Sequence, residues 1–195
     1  MSQGASSEVG DQWVFVAIDA DTKLIPSFHV GKRHREDTRI FLWDLYNRIE
    51  GRTQITTDGL RHYTEGVPDA FGLNVDFAQL VKLFGDYGQH DADARYSPSP
   101  IVEVISKVRT GNPDPDHIST SFVERQNLTM RMAIRRFTRL TNAFSKKLAN
   151  LKAACALHFA YYNFCRVHQT LRVTPAMEAG IADHIWTVAE LLHQT

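Results

Sequence analysis

The apolar and polar positions predict two β-strands between residues 13 and 31 and then change to a helical period from residue 36. Residues 13–19, WVFVAID, are aromatic and β-branched, which predicts a β-strand. Residues 24–31, LIPSFHVG, predict a second strand, in which Pro26 favours an edge or a bulge. The turn sequence ADTK joins the two strands into a hairpin. Residues 36–50 then predict a helix with an apolar face formed by Ile40, Phe41, Leu45 and Ile49.

The middle of the chain predicts two further strands and one short helix. Residues 53–57, TQITT, predict a short strand that ends at Asp58-Gly59. Residues 76–85, DFAQLVKLFG, predict a short helix that stops at its glycine. After the loop sequence DADARYSPSP, residues 102–111 alternate as a strand does.

The last third of the chain is dominated by helical patterns. Residues 121–139 predict one helix and residues 143–167 a second. Pro175 and Gly180 mark a break before a last short helix near residues 182–193. The resulting order of elements, β-β-α-β-α-β-α-α, predicts a mixed α/β fold.

The formal net charge of zero conceals an uneven distribution of charge. Residues 1–124 carry −7, residues 125–177 carry +10 with no Asp or Glu, and residues 178–195 carry −3. A distribution of this kind is typical of a polyanion-facing surface on an otherwise acidic body. Two halves that neutralise each other in the folded protein explain it equally well, and charge alone does not separate the two interpretations.

Cysteine usage and hydropathy bear on the location of the protein. No apolar run has the length of a membrane span, and the polar N-terminus lacks the features of a signal peptide. Cys155 and Cys165 lie ten residues apart in a predicted helix, about 15 Å along its axis, which is too far for a disulfide. Reduced thiols favour a cytoplasmic location.

Two carboxylates occupy positions at which chemistry is plausible, and each also has an ordinary structural explanation. Asp58 ends a predicted strand, and strand ends in α/β folds are where reactive side chains meet a crevice. An Asp-Gly pair is equally typical of a plain turn. Glu124 heads the acid-free stretch, but Ser121-x-x-Glu124 also matches a capping box, in which the glutamate bonds to the start of the helix.

The residues that follow Glu124 favour a functional role for it. Leu128, Arg131, Arg135 and Arg139 follow at helical steps, so one helix face would carry a carboxylate and three arginines. Carboxylates hold the metal ions of enzymes that cut a phosphate backbone, and arginines position the duplex. A solvated basic helix face is the structural alternative. Further along, Arg166, His168 and Arg172 add cationic groups.

Three segments of the chain resemble the DDE transposases of bacterial insertion sequences, close to the insertion-sequence-one type. The segments are ITTDGLRHY (55–63), STSFVERQNLTMRMAIRRFTRLTNAFSKK (119–147) and YNFCRVHQTLRVTPAMEAGI (162–181). The resemblance implies a ribonuclease-H-like mixed sheet flanked by helices over residues 12–181. Residues 1–11 are then a disordered leader, and residues 182–195 carry a C-terminal short helix.

The resemblance also implies an activity, cofactors and site residues. The activity is metal-dependent DNA cleavage and strand transfer at insertion-sequence ends, with two Mg²⁺ ions, for which Mn²⁺ can substitute. Asp58 matches the second aspartate of the catalytic triad and Glu124 its glutamate, both as metal ligands, while Asn127 supports the site. The acid-free stretch becomes the DNA-facing flank, with contacts expected from Arg125, Arg131, Arg135, Arg139, Lys146 and Lys147.

The first aspartate of the triad is the point at which the chain departs from the family pattern. In the family this residue lies in the first of three strands before the first helix, whereas the sequence predicts only two strands there. Three assignments stay open: the carboxylate and its strand are missing from an N-terminally truncated frame, Asp19 supplies it, or Asp11 supplies it. A missing strand would leave an exposed edge that favours self-association.

Three functional interpretations are compatible with the sequence. The first is a transposase catalytic domain, intact or truncated, that binds double-stranded DNA at insertion-sequence ends and at the target. The second is a non-enzymatic DNA-binding remnant that interferes with a full-length transposase. The third is a ribonuclease-H-like nuclease without transposition.

Overall fold

The protein has an α/β fold built from a two-stranded sheet, a three-stranded sheet and helices. The structure is a computed structural model that describes residues 11–85, 100–137 and 147–193. The chain divides into two compact units. Unit 1 comprises Met1–Arg48 and Ser121–Thr195, and unit 2 comprises Ile49–Thr120. Among the described residues, no helix is long and apolar enough to cross a membrane.

The predicted N-terminal hairpin is confirmed in unit 1. Strand β1 (Trp13–Val16) pairs antiparallel with β2 (Phe28–Gly31), with Val14 opposite Val30. Backbone hydrogen bonds continue the hairpin towards its turn, from Ala17 N–H to the Ser27 carbonyl (3.0 Å) and from Asp19 N–H to the Leu24 carbonyl (2.8 Å). Strand β2 is shorter than the predicted 24–31, and Pro26, which has no N–H to donate, lies just before it.

Helix α1 (Arg35–Tyr46) packs on the hairpin through Phe41, Leu42 and Leu45, which are buried. The ring of Phe41 lies 5.7 Å from that of Phe15 in β1. The predicted apolar face was partly wrong. Ile40 is 47% exposed, and Ile49 lies beyond the end of the helix. Thr38 is buried instead, because its hydroxyl donates to the backbone carbonyl of His34 one turn earlier.

The core of unit 1 lies between the hairpin and two later helices, α3 (Ser121–Ala133) and α4 (Leu148–Phe164). Its buried members are Ile25, Val30, Met130, Ile134, Leu151, Cys155, Phe159 and Tyr162. A buried amide joins α4 to the hairpin across 138 positions of sequence. Asn163 accepts from the backbone N–H of Ile25 at 3.0 Å and donates to the carbonyl of the same residue at 2.9 Å. Both cysteines are free thiols, as the spacing predicted.

The end of unit 1 contains two short helices, α5 (Pro175–Glu178) and α6 (Val188–His193). Thr174 caps α5 by accepting from the backbone N–H of Met177 at 3.3 Å, and Pro175 occupies the first turn, where its missing N–H costs nothing. The last helix begins six residues later than the predicted 182. The ring of Trp186 stacks instead on that of Phe164 at 4.4 Å.

Unit 2 is a three-stranded mixed sheet with one helix. Strand β3 (Thr53–Asp58) pairs parallel with β4 (Val75–Phe84), and β4 pairs antiparallel with β5 (Ile101–Thr110). Helix α2 (His62–Phe71) connects β3 to β4. The strands β3 and β5 agree with the predicted 53–57 and 102–111 to within one or two residues.

Two features of unit 2 differ from the sequence prediction. The predicted helix over residues 76–85 is wrong, because this segment is the central strand β4. Its buried residues Val75, Phe77 and Ala78 form a short apolar run. Such a run occurs both in central strands and in buried helices, and its periodicity does not distinguish them. Helix α2 had no prediction, since Gly66 and Pro68 within it are typical of a loop.

Candidate nucleic-acid interface and candidate carboxylates

Asp58 is the last residue of β3, at the carboxyl end of the parallel pair, and its side chain is exposed. Its Oδ1 accepts from the backbone N–H of Leu60 at 3.0 Å, a bond typical of an Asx turn. The turn interpretation of Asp-Gly therefore describes the local geometry. A carboxylate held in this way keeps further lone pairs for another ligand, so the geometry is compatible with both roles.

A buried glutamine that the sequence analysis missed shapes the strand end around Asp58. Gln79 of β4 is 2% exposed, and its amide donates to the carbonyls of Asp58 (3.1 Å) and Leu60 (3.2 Å). Its oxygen accepts from the Thr64 hydroxyl at 3.1 Å and from Arg109 Nε at 3.0 Å. The side chain thus fixes the backbone on both sides of Gly59. Only its position in a central strand identifies it, and the helix predicted there concealed that position.

Glu124 lies in the first turn of α3 and is exposed. An acidic residue at a helix N-terminus is stabilised by the helix dipole, whatever other role it has. The helix begins at Ser121, the residue predicted as its cap. The neighbouring Arg125 is also exposed, while Asn127 is half-buried.

Asp19 lies in the tight turn of the hairpin and organises that turn. Its Oδ1 accepts from the backbone N–H of Asp21 (3.0 Å), the backbone N–H of Thr22 (2.7 Å) and the Thr22 hydroxyl (2.9 Å). Its carbonyl accepts from the backbone N–H of Lys23, a non-glycine residue with a φ of 60°. One oxygen of Asp19 therefore already has three local donors.

The hairpin turn contacts the start of α3. The Lys23 ammonium lies 3.9 Å from the centroid of the Phe122 ring, a cation–π geometry. Phe122 and Glu124 are two residues apart on the helix, so their side chains project from different faces. Arg125, three residues after Phe122, shares the face that Lys23 approaches.

His168 lies among three cations that come from three elements of unit 1. Partial burial lowers the pKa of His168, and the charges of Lys23, Arg166 and Arg125 lower it further. Lys23 comes from the hairpin turn, Arg125 from α3, and Arg166 from the segment after α4. We name Lys23, Arg125, Arg166 and His168 the basic cluster.

A compact loop after α4 positions the histidine of the basic cluster. The backbone N–H of His168 donates to the carbonyl of Val173, and that of Arg172 donates to the carbonyl of His168, both at 2.9 Å. His168 Nδ1 lies 3.0 Å from the Thr170 hydroxyl. Arg172 has a φ of 66°, in the left-handed region that non-glycine residues seldom adopt. These backbone bonds hold residues 168, 172 and 173 close together.

Arg166 also influences a second histidine. Burial lowers the pKa of His158 in α4, and the charge of Arg166 lowers it further. Its Nε2 is buried, and among the described residues it has no hydrogen-bond partner. The ring packs edge-on against Phe159 at 5.3 Å, so His158 belongs to the packing around α4.

The predicted stripe of arginines on one helix face needs correction. Helix α3 ends at Ala133, so Arg131 lies within it, whereas Arg135 belongs to the 3₁₀ turn Arg135–Phe137. Both arginines are exposed, as is Lys147, but the three-arginine helix face is not formed. Ile134, the residue after the end of α3, is buried in the core of unit 1. Arg139 and Lys146 lie outside the described residues.

The basic cluster differs from the set of cations that the sequence predicted. Arg125 was predicted as a DNA contact, and Arg166 and His168 were noted as cationic. Lys23 was missed, because it lies about 100 positions before α3 in a segment whose overall charge is negative. Only the contact with Phe122 brings it to this surface.

Mg²⁺ ligands were predicted at Asp58 and Glu124. These two residues belong to different units, Asp58 to unit 2 and Glu124 to unit 1. Within residues 11–85, 100–137 and 147–193, no group of three or more His, Cys, Asp or Glu side chains is arranged to hold a metal ion. The described residues therefore do not fit a complete two-metal site, and we assign no catalytic step to them.

Comparison with known proteins gave no relative of this chain. No family model, no curated protein and no solved structure matches it.

Proposed function

We propose that this chain binds double-stranded DNA through unit 1 and is the catalytic-domain portion of a DDE-type transposase. The DNA-binding part is supported by the contact of Lys23 with Phe122 at the start of α3, and by the charges of Lys23, Arg166 and Arg125, which all lower the pKa of His168. Cations gathered from separate elements on one surface suit a phosphate backbone, which repeats its charge along the duplex. The role in transposition rests on the resemblance of the three sequence segments.

The mixed arrangement of the described strands and helices supports a ribonuclease-H-like fold. Among the described residues, β1 pairs only with β2, and β3 pairs only with β4. A parallel pair such as β3–β4, joined by the helix α2, is typical of α/β folds.

The catalytic part of the proposal needs a third carboxylate besides Asp58 and Glu124. Asp19 is a poor candidate, because one of its oxygens already accepts three local hydrogen bonds. We therefore expect the 195-residue chain to bind duplex DNA without nicking supercoiled plasmid in Mg²⁺ or Mn²⁺. Metal-dependent nicking that disappears in Asp19→Asn would contradict this assignment and make Asp19 the third carboxylate.

The second candidate function is a non-enzymatic DNA-binding remnant that interferes with a full-length transposase. The local hydrogen bonds of Asp19 favour it, since they describe a turn residue and not a metal ligand.

Titration with Mn²⁺ separates the two candidates. If Asp58 and Glu124 share a site, Asp58→Asn and Glu124→Gln each weaken Mn²⁺ binding, because amides are poor ligands for hard cations. Asp19→Asn serves as the matched control and leaves binding unchanged. Glu124→Gln should change the free energy of unfolding by less than about 1 kcal/mol, since glutamine also serves in a helix cap. If neither Asp58→Asn nor Glu124→Gln changes Mn²⁺ binding, the result favours the non-enzymatic function.

A further inference from the structure

Among the described residues of unit 2, the outer edge of β5 is the longest unpaired strand edge. The strand has ten residues, and among the described residues it pairs only with β4. Its exposed apolar side chains include Ile101 (50%), Val102 (71%), Val104 (52%) and Val108 (58%). A long apolar edge presents free N–H and C=O groups and is a template for another strand.

Two irregularities define which part of β5 can accept a strand. The pairing with β4 shifts register between Phe77 and Ala78 and again between Leu83 and Phe84, opposite Arg109 and Val102 respectively. The regular part of β5 between these shifts is residues 103–108. Bulges bend a strand and interrupt pairing, so a partner strand is confined to this part.

The charges within residues 103–108 are complementary about a two-fold axis. If two copies of β5 pair antiparallel with Ile105 opposite itself, Glu103 of each copy faces Lys107 of the other. Val104 then faces Ser106. Two opposite-charge pairs form by symmetry, and pairs of this kind stabilise antiparallel strands.

The neighbouring register is less favourable. Residues that lie opposite each other in antiparallel strands must project from the same face of the sheet. The next symmetric register that satisfies this condition places Ser106 opposite itself. Glu103 would then face Arg109, which lies at a bulge and whose Nε already donates to Gln79. Ile105 would face Lys107, which pairs an apolar with a charged side chain.

We infer that β5 is a homodimer interface, in which residues 103–107 of two copies pair antiparallel about Ile105 and join two three-stranded sheets. This edge is distinct from the edge at the N-terminal hairpin, where the sequence predicted self-association. The inference does not depend on DNA binding. Lysine and glutamate on an edge strand usually discourage pairing, but here their symmetric placement selects one partner, a second copy.

Charge exchange tests the inference in the full chain. We expect sedimentation velocity to show a concentration-dependent monomer–dimer equilibrium. Glu103→Lys and Lys107→Glu each place like charges opposite one another and should raise the dimer Kd severalfold, whereas the double variant should restore it. Asp69→Lys, an exposed change of the same charge on α2, is the control. A chain that stays monomeric, or a dimer that Glu103→Lys leaves unchanged, overturns the inference.

A cross-link tests the register independently of charge. In the proposed pairing the Cα atoms of residue 105 in the two copies lie about 4.5–5.5 Å apart, within disulfide range. Ile105→Cys should form a disulfide-linked dimer under mild oxidation, beyond the background from the native cysteines. Ser106→Cys is the matched control, because it faces Val104 and not itself. Equal cross-linking of both variants, with thermal melts showing both folded, contradicts the register.

Discussion

Units 1 and 2 carry opposite charge and use it differently. From the sequence, unit 1 has a net charge of +5 and unit 2 of −5. In unit 2, Arg52 and Asp76 form a bidentate pair, with 2.7 Å and 2.6 Å contacts. In unit 1, three cations of the basic cluster act on one histidine. The net charge of zero is therefore the sum of +5 in unit 1 and −5 in unit 2. In unit 1 the cations of the basic cluster surround one histidine, whereas in unit 2 Arg52 is paired with a carboxylate.

The comparison shows why position in the fold matters more than charge count. Arg52 also donates to the carbonyl of Leu73 at 2.7 Å, and Asp76 accepts from the backbone N–H of Asn112 at 2.7 Å. These bonds hold together the start of β3, the start of β4 and the segment after β5. An arginine with so many partners contributes to the sheet, whereas the exposed Arg125 and Arg166 are available to a polyanion.

The largest expected effect is on DNA affinity when the cations of the basic cluster are removed. Replacing Lys23, Arg125 and Arg166 together by glutamine should weaken DNA binding. The slope of log K for DNA association against log salt is negative and should become less steep by up to about 0.9 for each lost phosphate contact. Fluorescence anisotropy with a labelled duplex at 50–200 mM salt measures it. The matched triple variant of Arg131, Arg135 and Arg139 should have a smaller effect, because Arg131 and Arg135 do not share a helix face.

A control within unit 2 makes the comparison sharper. Replacing Arg61 and Lys82 by glutamine removes two cations from unit 2 and should leave the salt dependence nearly unchanged. If this control flattens the slope as much as the variant of the basic cluster, DNA contacts are spread over both units and the comparison fails.

The second effect is on stability and concerns the amide that joins the hairpin to α4. Asn163→Ala leaves the N–H and carbonyl of Ile25 without their partner in a buried position, so we expect a loss of about 1–3 kcal/mol in the free energy of unfolding. Urea denaturation measures this loss. Gln54→Ala is a control at an exposed side-chain bridge of unit 2, to Asp114, and should cost less. Equal losses would show that the buried amide contributes nothing special to unit 1.

The third effect is a pH dependence of DNA affinity through His168. The pKa of His168 is lowered in the folded protein, so folding favours the neutral imidazole. The contribution of this group to the stability of the fold is therefore present above the ordinary pKa near 6.5 and is lost as pH falls. A bound phosphate reverses the balance by favouring the imidazolium, so DNA should bind more tightly as pH falls from 7.5 to 5.5. His168→Gln should flatten this profile. A wild-type affinity that is independent of pH contradicts the placement of DNA at His168.

The smallest effect distinguishes two aspartates of unit 2, Asp76 and Asp58. Hydrogen bonding to Arg52 holds the pKa of Asp76 at about 2, so its stabilising contribution is present above 3.8 and lost as pH falls towards 2. Asp76→Asn should lower Tm modestly and weaken its dependence on acid. Asp58→Asn should leave Tm nearly unchanged, since Asn also bonds its own turn. A larger loss from Asp58→Asn would make that residue structural.

Much of the fold was predictable from local patterns, and the errors have physical causes. The hairpin, α1, β3, β5 and the beginning of α3 followed from alternation and helical period, whereas α4 begins at Leu148 and not at the predicted 143. Strand β4 was mistaken for a helix because its buried first half lacks a regular polar alternation. Helix α2 was not recognised because Gly66 and Pro68 are typical of a loop.

The candidate site was predictable only where its residues are close in sequence. Glu124 and Arg125 stand together at the start of the acid-free stretch, and Asp58 ends a recognisable strand. Lys23 joins the basic cluster through a long-range contact with Phe122, and Gln79 reaches Asp58 through strand pairing. Tertiary contacts of this kind leave no periodic or compositional signal in the sequence.

Hydrogen exchange of the full chain, with and without duplex DNA, tests the central claim most directly. The account predicts slower exchange in the hairpin turn, the start of α3 and the loop at residues 165–174, while the amides of β3, β4 and β5 stay unchanged. Protection confined to unit 2, or no protection at DNA concentrations that saturate binding, would contradict the assignment of the DNA-binding surface to unit 1.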